Sequence, residues 1–270
     1  MTTTLRRQTY NTSFAGKGAR LPDVKQVLQA VATGQTLEQI RAAVIDQDLL
    51  DCGTRKSRET VWHEIYRRYL SGREAAHSAT LARFASRCAN SAAVDLVLFY
   101  EYCQVDALLY ELTAHCTYEL YQNARTTIDK VDINEWLSQQ EATHPEISRW
   151  SPMVRGRLVR GYLATIRDFG LVTGTKQKEF YKLYIPREAF IYALYHQKDR
   201  GLEDFGDLTA KALIQSLDWR LFLLTERDVL FMLDDAARGG FVHFRQAGDI
   251  YDLRFIYNDL HEVVNVLIGG

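Results

Sequence analysis

The sequence predicts a mainly helical chain with small β-hairpins: a helical bundle over residues 1–148, then an α+β part over 149–270 built of two winged-helix-like modules. Three observations predict this. Apolar residues recur at helical spacing through most of the chain. Strand-like runs flanked by turn residues fall after residue 170. The stretch from His144-Pro145 to Pro152 breaks the helical pattern and marks the boundary. With 270 residues, 47% hydrophobic and 25% charged, the chain can bury one large core or two smaller ones, and disorder is not indicated.

In chain order, Tyr10-Asn11-Thr12-Ser13-Phe14 leads into the Gly-rich loop Ala15-Gly16-Lys17-Gly18-Ala19-Arg20. The Gly-Lys pair lacks the first Gly and the following Ser or Thr of a phosphate loop, so nucleotide binding there is not expected. Pro22-Asp23 opens a helix ending near Gly34, and Thr36-x-x-Gln39 reads as the capping box of the next, which runs to about Asp46. Gly53-Thr54 introduces a stronger helix whose stripe is Val61, Trp62, Ile65, Tyr66, Tyr69 and Leu70. Trp62 and Tyr66 share that stripe, which favours a core role over stacking on bases. A helix over Glu74–Arg87 follows, then two packed helices between Ser91 and Asn123, centred on Leu96, Val97, Phe99, Tyr100, Leu108, Leu109, Leu112 and Leu120. Asp132-x-x-Glu135 is taken to cap a helix reaching about Thr143.

The segment from Trp150 to Ile185 combines a helix with a basic hairpin. Val154, Leu158, Val159, Tyr162, Leu163, Ile166 and Phe169 form one apolar stripe, and Arg157, Arg160 and Arg167 fall on the opposite side. Gly170 stops the helix, and Leu171–Thr173 is expected to pair with Phe180–Ile185 across a turn at 174–178. Pro186 then starts a helix, and two helical segments follow over Asp207–Ser216 and Thr225–Arg238, the second with Thr225-x-x-Asp228 at its start. Strands Phe241–Arg245 and Tyr251–Ile256 flank a Gly248-Asp249 turn, and Asn258 is expected to cap a last helix to Leu267. The order helix, hairpin, helix thus occurs twice.

Charge is distributed unevenly. Residues 149–182 hold eight basic side chains against two acidic ones, a local +6 in a chain of net −1. Residues 1–73 hold twelve against seven, whereas 91–148 hold two against ten and 183–270 nine against fourteen. Two basic blocks with an acidic block between them point to a polyanion-binding surface assembled from distant segments. The candidate phosphate contacts are Lys17, Arg20, Arg55, Lys56, Arg58, Arg67 and Arg68 in the first block, and Arg155, Arg157, Arg160, Arg167, Lys176, Lys178 and Lys182 in the second. The competing interpretation is a solvated helix beside a charged hairpin edge that discourages aggregation.

Other chemistry is not indicated. There is no HExxH, no GxSxG, and no acidic cluster paired with Lys of the kind nucleases use, so no catalytic residue, cofactor, metal site or small-molecule substrate is assigned. Cys52, Cys88, Cys103 and Cys116 show no CxxC pairing and read as reduced, mostly buried thiols. No run is long and apolar enough for a bilayer and the N-terminus lacks a signal-peptide core, so a cytoplasmic location is expected.

The Tyr10–Phe14 motif, the Gly-containing loop, the short helix, and Thr54-Arg55-Lys56-Ser57 opening an aromatic- and Arg-rich helix resemble the BrxA family, most specifically over residues 8–75. BrxA proteins are small components of BREX bacteriophage-defence systems. The resemblance implies a NusB-like helical fold, binding of DNA without catalysis, and other BREX components as partners; that the DNA is double-stranded is the reading of the basic blocks. It carries no active-site motif. Two other readings stay open: a NusB-like RNA-binding factor using the helix around 61–70, and a protein scaffold whose basic blocks dock acidic partners.

Overall fold

The computed structural model describes residues 9–14, 18–205 and 209–269. Lys17 lies outside the described residues. The rest is mostly helical with two antiparallel two-stranded sheets, as the apolar periodicity predicts.

Helices α1 (Leu21–Ala32), α2 (Leu37–Asp46), α3 (Arg55–Tyr69) and α4 (Ala75–Arg87) form the first layer. Their starts follow from local chemistry. The Thr36 hydroxyl accepts from Gln39 N–H and the Gln39 side chain from Thr36 N–H, completing the predicted capping box. Thr54 caps α3 by accepting from Ser57 N–H at 3.2 Å.

Helix α5 (Ser91–Cys103) is the centre of the molecule: ten of its thirteen residues are buried, from Ala93 to Cys103. A helix apolar on every side has no solvent face to offer, so other elements must enclose it. Helices α3 and α4 and the long α10 (Arg187–Phe205) pack against it. Each fully buried aromatic or leucine here contributes about 1.5–3 kcal/mol of transfer free energy. The next helical run starts as α6 (Ala107–Glu111), passes through a π-helical stretch (Leu112–Thr117) and ends as α7 (Tyr118–Gln122). That π-helical stretch was not legible in the sequence. The hydroxyls of Thr113 and Thr117 lie 3.2 and 2.5 Å from the buried Tyr162 hydroxyl.

Strand β1 (Thr127–Ile128) precedes α8 (Lys130–Gln140) and α9 (Pro152–Asp168). Helix α8 begins earlier than expected. Asp129, not Asp132, is its cap, and Asp132 instead closes the capping box from inside the first turn.

The strand pairing after α9 also differs from expectation. Leu171–Thr173 does not ladder with Phe180–Ile185. Instead Thr173 and Glu179 exchange backbone hydrogen bonds at 2.9 and 3.0 Å, and β2 (Lys178–Glu179) pairs with β1, Thr127 opposite Glu179 and Ile128 opposite Lys178. The reason is the tightness of the turn: Gly174 at φ +85° brings the chain back within four residues, and Glu179 is then already engaged.

After α10 come α11 (Ala210–Ile214), a 3-10 turn (Leu217–Phe222), α12 (Glu226–Arg238), β3 (Val242–Ala247), β4 (Ile250–Phe255) and α13 (Leu260–Leu267). The β3–β4 hairpin matches the sequence reading, and the Thr225 capping box forms. Asp259 rather than Asn258 caps α13. Helix α13 folds back on α4, with Thr80 Oγ1 3.1 Å from His261 Nδ1 and Arg83 donating to Asn265 at 2.6 Å.

Candidate nucleic-acid interface

Pro152 at the first turn and the Ser151 hydroxyl, which accepts from Val154 N–H at 3.3 Å, start α9. Leu158, Val159, Tyr162, Leu163 and Ile166 are buried as the periodicity requires, and this leaves Arg157 and Arg160 exposed. Neither has a carboxylate partner among the described residues; Arg157 meets only the Met153 sulfur, at 3.5 Å.

The rest of this block divides by what each side chain touches. Lys176 and Lys182 are exposed and without an ion-pair partner among the described residues. Arg167 is half-buried and paired with Asp168, its Nε donating to Oδ1 at 3.0 Å. Arg155 faces inward to α8, where it donates to Glu141, to the Asn134 carbonyl and to Ser138 at 2.7–2.8 Å. With Nε donating to Asn134 Oδ1 at 3.2 Å, four of its five N–H donors are engaged, and it acts as a structural clamp. Lys178 is only 7% exposed, and its ammonium donates to the Thr175 carbonyl at 2.5 Å. Burial, followed by the nearby Arg167 cation, pulls its pKa below the ordinary lysine value.

Arg160, Arg167, Lys176 and Lys178 meet along one cleft of about 510 Å³ between α8, α9 and the 174–178 turn, and Lys130 completes the ring of five cations. Lys130 was missed in the sequence because it sits in the acidic block, 30 residues from Arg160. The pairing of β1 with β2 and the packing of α8 on α9 bring it there. The one acidic lining residue, Asp129, is occupied in capping α8, accepting from Val131 N–H at 2.7 Å and Asp132 N–H at 3.4 Å.

The first basic block is more heavily neutralised. Arg55 and Lys56 lie exposed at the start of α3 as expected, but Arg55 pairs with Asp46 at 3.0 Å and Glu59 at 3.2 Å. Arg58 is half-buried, 3.9 Å from Asp48. Arg20 pairs with Asp23. Arg67 lies 3.4 Å from Glu64 and 3.7 Å from Asp106. Arg68 is 1% exposed, donates to the Gly18 carbonyl at 3.1 Å and to Glu64 at 3.3 Å, and stacks over the Tyr102 ring. It belongs to the core, because its position on α3 faces α5 rather than solvent. Lys56 is the one cation of this set without a carboxylate partner among the described residues. Trp62 is buried and stacks on Tyr66 at 5.7 Å, so the two rings satisfy each other.

The Gly18–Arg20 loop joins the two blocks. Ala19 N–H donates to Asp168 at the end of α9, and Gly18 accepts from Arg68 at the end of α3.

A different cluster sits in the core. His77, Glu101 and His196 place ligand atoms within 4.8 Å of one another. The guanidinium of Arg73 contacts both Glu101 and His77, and its other nitrogen is fixed by the Arg68 and Glu101 carbonyls at 3.2 and 2.9 Å. A fixed cation thus stands where a metal would have to go. Burial would raise the Glu101 pKa, but the Arg73 guanidinium, with His77 bonded to the carboxylate at 3.1 Å, outweighs it and holds the carboxylate ionised. This is an internal ion cluster.

The family model for BrxA matches residues 8–196, more than half of the chain. The chain belongs to the BrxA family. That family is associated with BREX phage defence and is not a known enzyme family. The family match covers both α3 and the whole of the α8–α9 cleft. No curated protein matches the chain in sequence. In structure, the chain is similar to an uncharacterized protein from Magnetospirillum magneticum. The TM-score is 0.59 at 14% identity, covering 80% of this chain and 98% of the other, a likeness of fold alone. None of the described helices is long and apolar enough to cross a membrane.

Proposed function

We propose that this BrxA-family chain is a nonenzymatic component of a BREX system that binds double-stranded DNA through its backbone, working in the cytoplasm with other BREX components. The observation that carries this reading is a group of exposed cations without carboxylate partners among the described residues: Lys130, Arg160 and Lys176 lining the cleft, Arg157 and Lys182 close to them in sequence, and Lys56 on α3. Phosphates supply the missing counter-charge, and contacts of this kind position a protein on DNA without reading bases. The β3–β4 hairpin, where Arg245 and Arg254 balance Asp249 and Asp252, is left to face partner proteins.

The test is duplex affinity across a salt series. If the six cations each neutralise one phosphate, log affinity should fall against log salt with a slope of about −5, from roughly −0.9 per phosphate. A flat response would overturn the reading. The same slope should be found for unrelated duplex sequences, because the contacts are to the backbone.

A further inference from the structure

The cleft is built for more than the outside of a duplex. Its floor is apolar, made by Leu163 and Ala164 of α9 and Ile128 of β1. Val131 stands at its rim, 60% exposed. Its cations lie around that floor, and Lys178 holds a nearly buried ammonium whose one described partner is the Thr175 carbonyl. An ammonium carries three donors, so an anion seated here would find a donor without one being drawn from elsewhere. The volume, about 510 Å³, falls in the range of roughly 300–1,000 Å³ of pockets that enclose a small ligand.

Intact duplex DNA cannot use this shape. Its phosphates lie on a convex surface and its bases are stacked inside, so the backbone would touch the rim and leave the floor empty. A nucleotide outside the stack has both required parts: a flat ring for Leu163 and Ala164, and a phosphate for the cations. We propose that the cleft receives one unpaired nucleotide at a strand end or overhang, its phosphate against Arg160, Lys176 and Lys178 and its base on the Leu163–Ala164 floor. This rests on the DNA-binding reading above and adds to it a preference for duplexes with unpaired ends.

The experiment compares a blunt duplex with the same duplex carrying a short 5′-phosphorylated overhang, by fluorescence anisotropy at fixed salt. The expected result is about tenfold tighter binding of the overhang. Ala164→Phe fills the floor without changing charge, and should erase that preference while blunt-duplex affinity and its salt slope stay as in the native chain. Ala164→Leu, a smaller side chain at the same floor position, should reduce the preference in the same direction, and keeps the test decisive if Ala164→Phe lowers the melting temperature. Excess thymidine, which offers the base without a phosphate, should compete away the overhang preference and leave blunt binding intact. Equal affinity for both ends, a preference that survives both variants, or displacement of both duplexes alike by thymidine would overturn the cleft assignment while the backbone reading stands. A flat salt response on blunt duplex would instead overturn the reading beneath it.

Discussion

The guanidinium of Arg155 on α9 donates to the carboxylate of Glu141, 2.8 Å away at the end of α8. With its further bonds to Asn134 and Ser138, it sets the spacing of the two helices that wall the basic cleft. A charge-assisted bond of this kind is worth about 1.5–3 kcal/mol, and its loss leaves partners unsatisfied. Arg155→Ala should therefore lower stability by about 2 kcal/mol in chemical denaturation. It should leave the salt slope of DNA binding unchanged, since Arg155 faces α8 with four of its five donors engaged there. Arg160→Ala should do the reverse, reducing the slope by about 0.9 at unchanged stability. A slope change in Arg155→Ala would return that residue to the interface.

The turn that carries Lys176 tolerates no side chain at Gly174. Its φ is +85°, and a Cβ would lie 2.1 Å from the Gln177 carbonyl oxygen. Gly174→Ala must open the turn and displace Lys176 and Lys178 from the cleft. Duplex affinity should fall several-fold while the helical circular dichroism signal, which comes mainly from other elements, is retained. Native affinity in this variant would mean that the turn takes no part in binding.

The local parts of this fold were legible in the sequence, and the contacts between distant parts were not. Thr36, Thr54 and Thr225 cap their helices because a hydroxyl three residues before a free N–H is a local matter. The apolar stripe of α9 placed Arg157 and Arg160 on the solvent side for the same reason. Burial of Arg68 depends on α5 and the Gly18 loop, and the clamp role of Arg155 depends on α8. Neither partner is near in sequence. Lys130 reaches the cleft through the packing of α8 on α9 and a two-residue strand pairing too short to leave a pattern.

Stability should fall on acidification below about pH 6.5, and His196 supplies one cause. Burial, against the opposing pull of Glu101, pushes its pKa down to about 3, so the folded chain keeps the ring neutral. The unfolded chain takes up a proton near pH 6.5, and the folded one does not. The stabilisation is thus complete above pH 6.5 and shrinks as pH falls toward 3, by about 1.4 kcal/mol per pH unit for one proton. Between pH 6.5 and 5 the buried carboxylates of Glu101 and Asp218, both held below the ordinary range, do not yet contribute. Denaturant unfolding of His196→Gln in that window should show a flatter pH dependence than the native chain. Identical slopes would mean that His196 titrates normally in the fold.

The last prediction concerns the start of α3. Arg55, Lys56 and Arg58 were equal candidates by sequence, and a helix N-terminus adds a favourable field for phosphate. In the structure Arg55 is neutralised by Asp46 and Glu59, and Arg58 lies near Asp48, which leaves Lys56. Replacing all three with Ala should therefore lower the salt slope by about one unit rather than three, from roughly −0.9 per phosphate released. Lys56→Ala alone should reproduce almost all of that change. Affinity should drop by a similar factor for every duplex sequence, because the contact reads no base. A fall of about three units would show that DNA displaces the carboxylates from Arg55 and Arg58. A triple variant that binds like the native chain across the salt series would confine DNA to the cleft and leave the first block to an acidic protein partner.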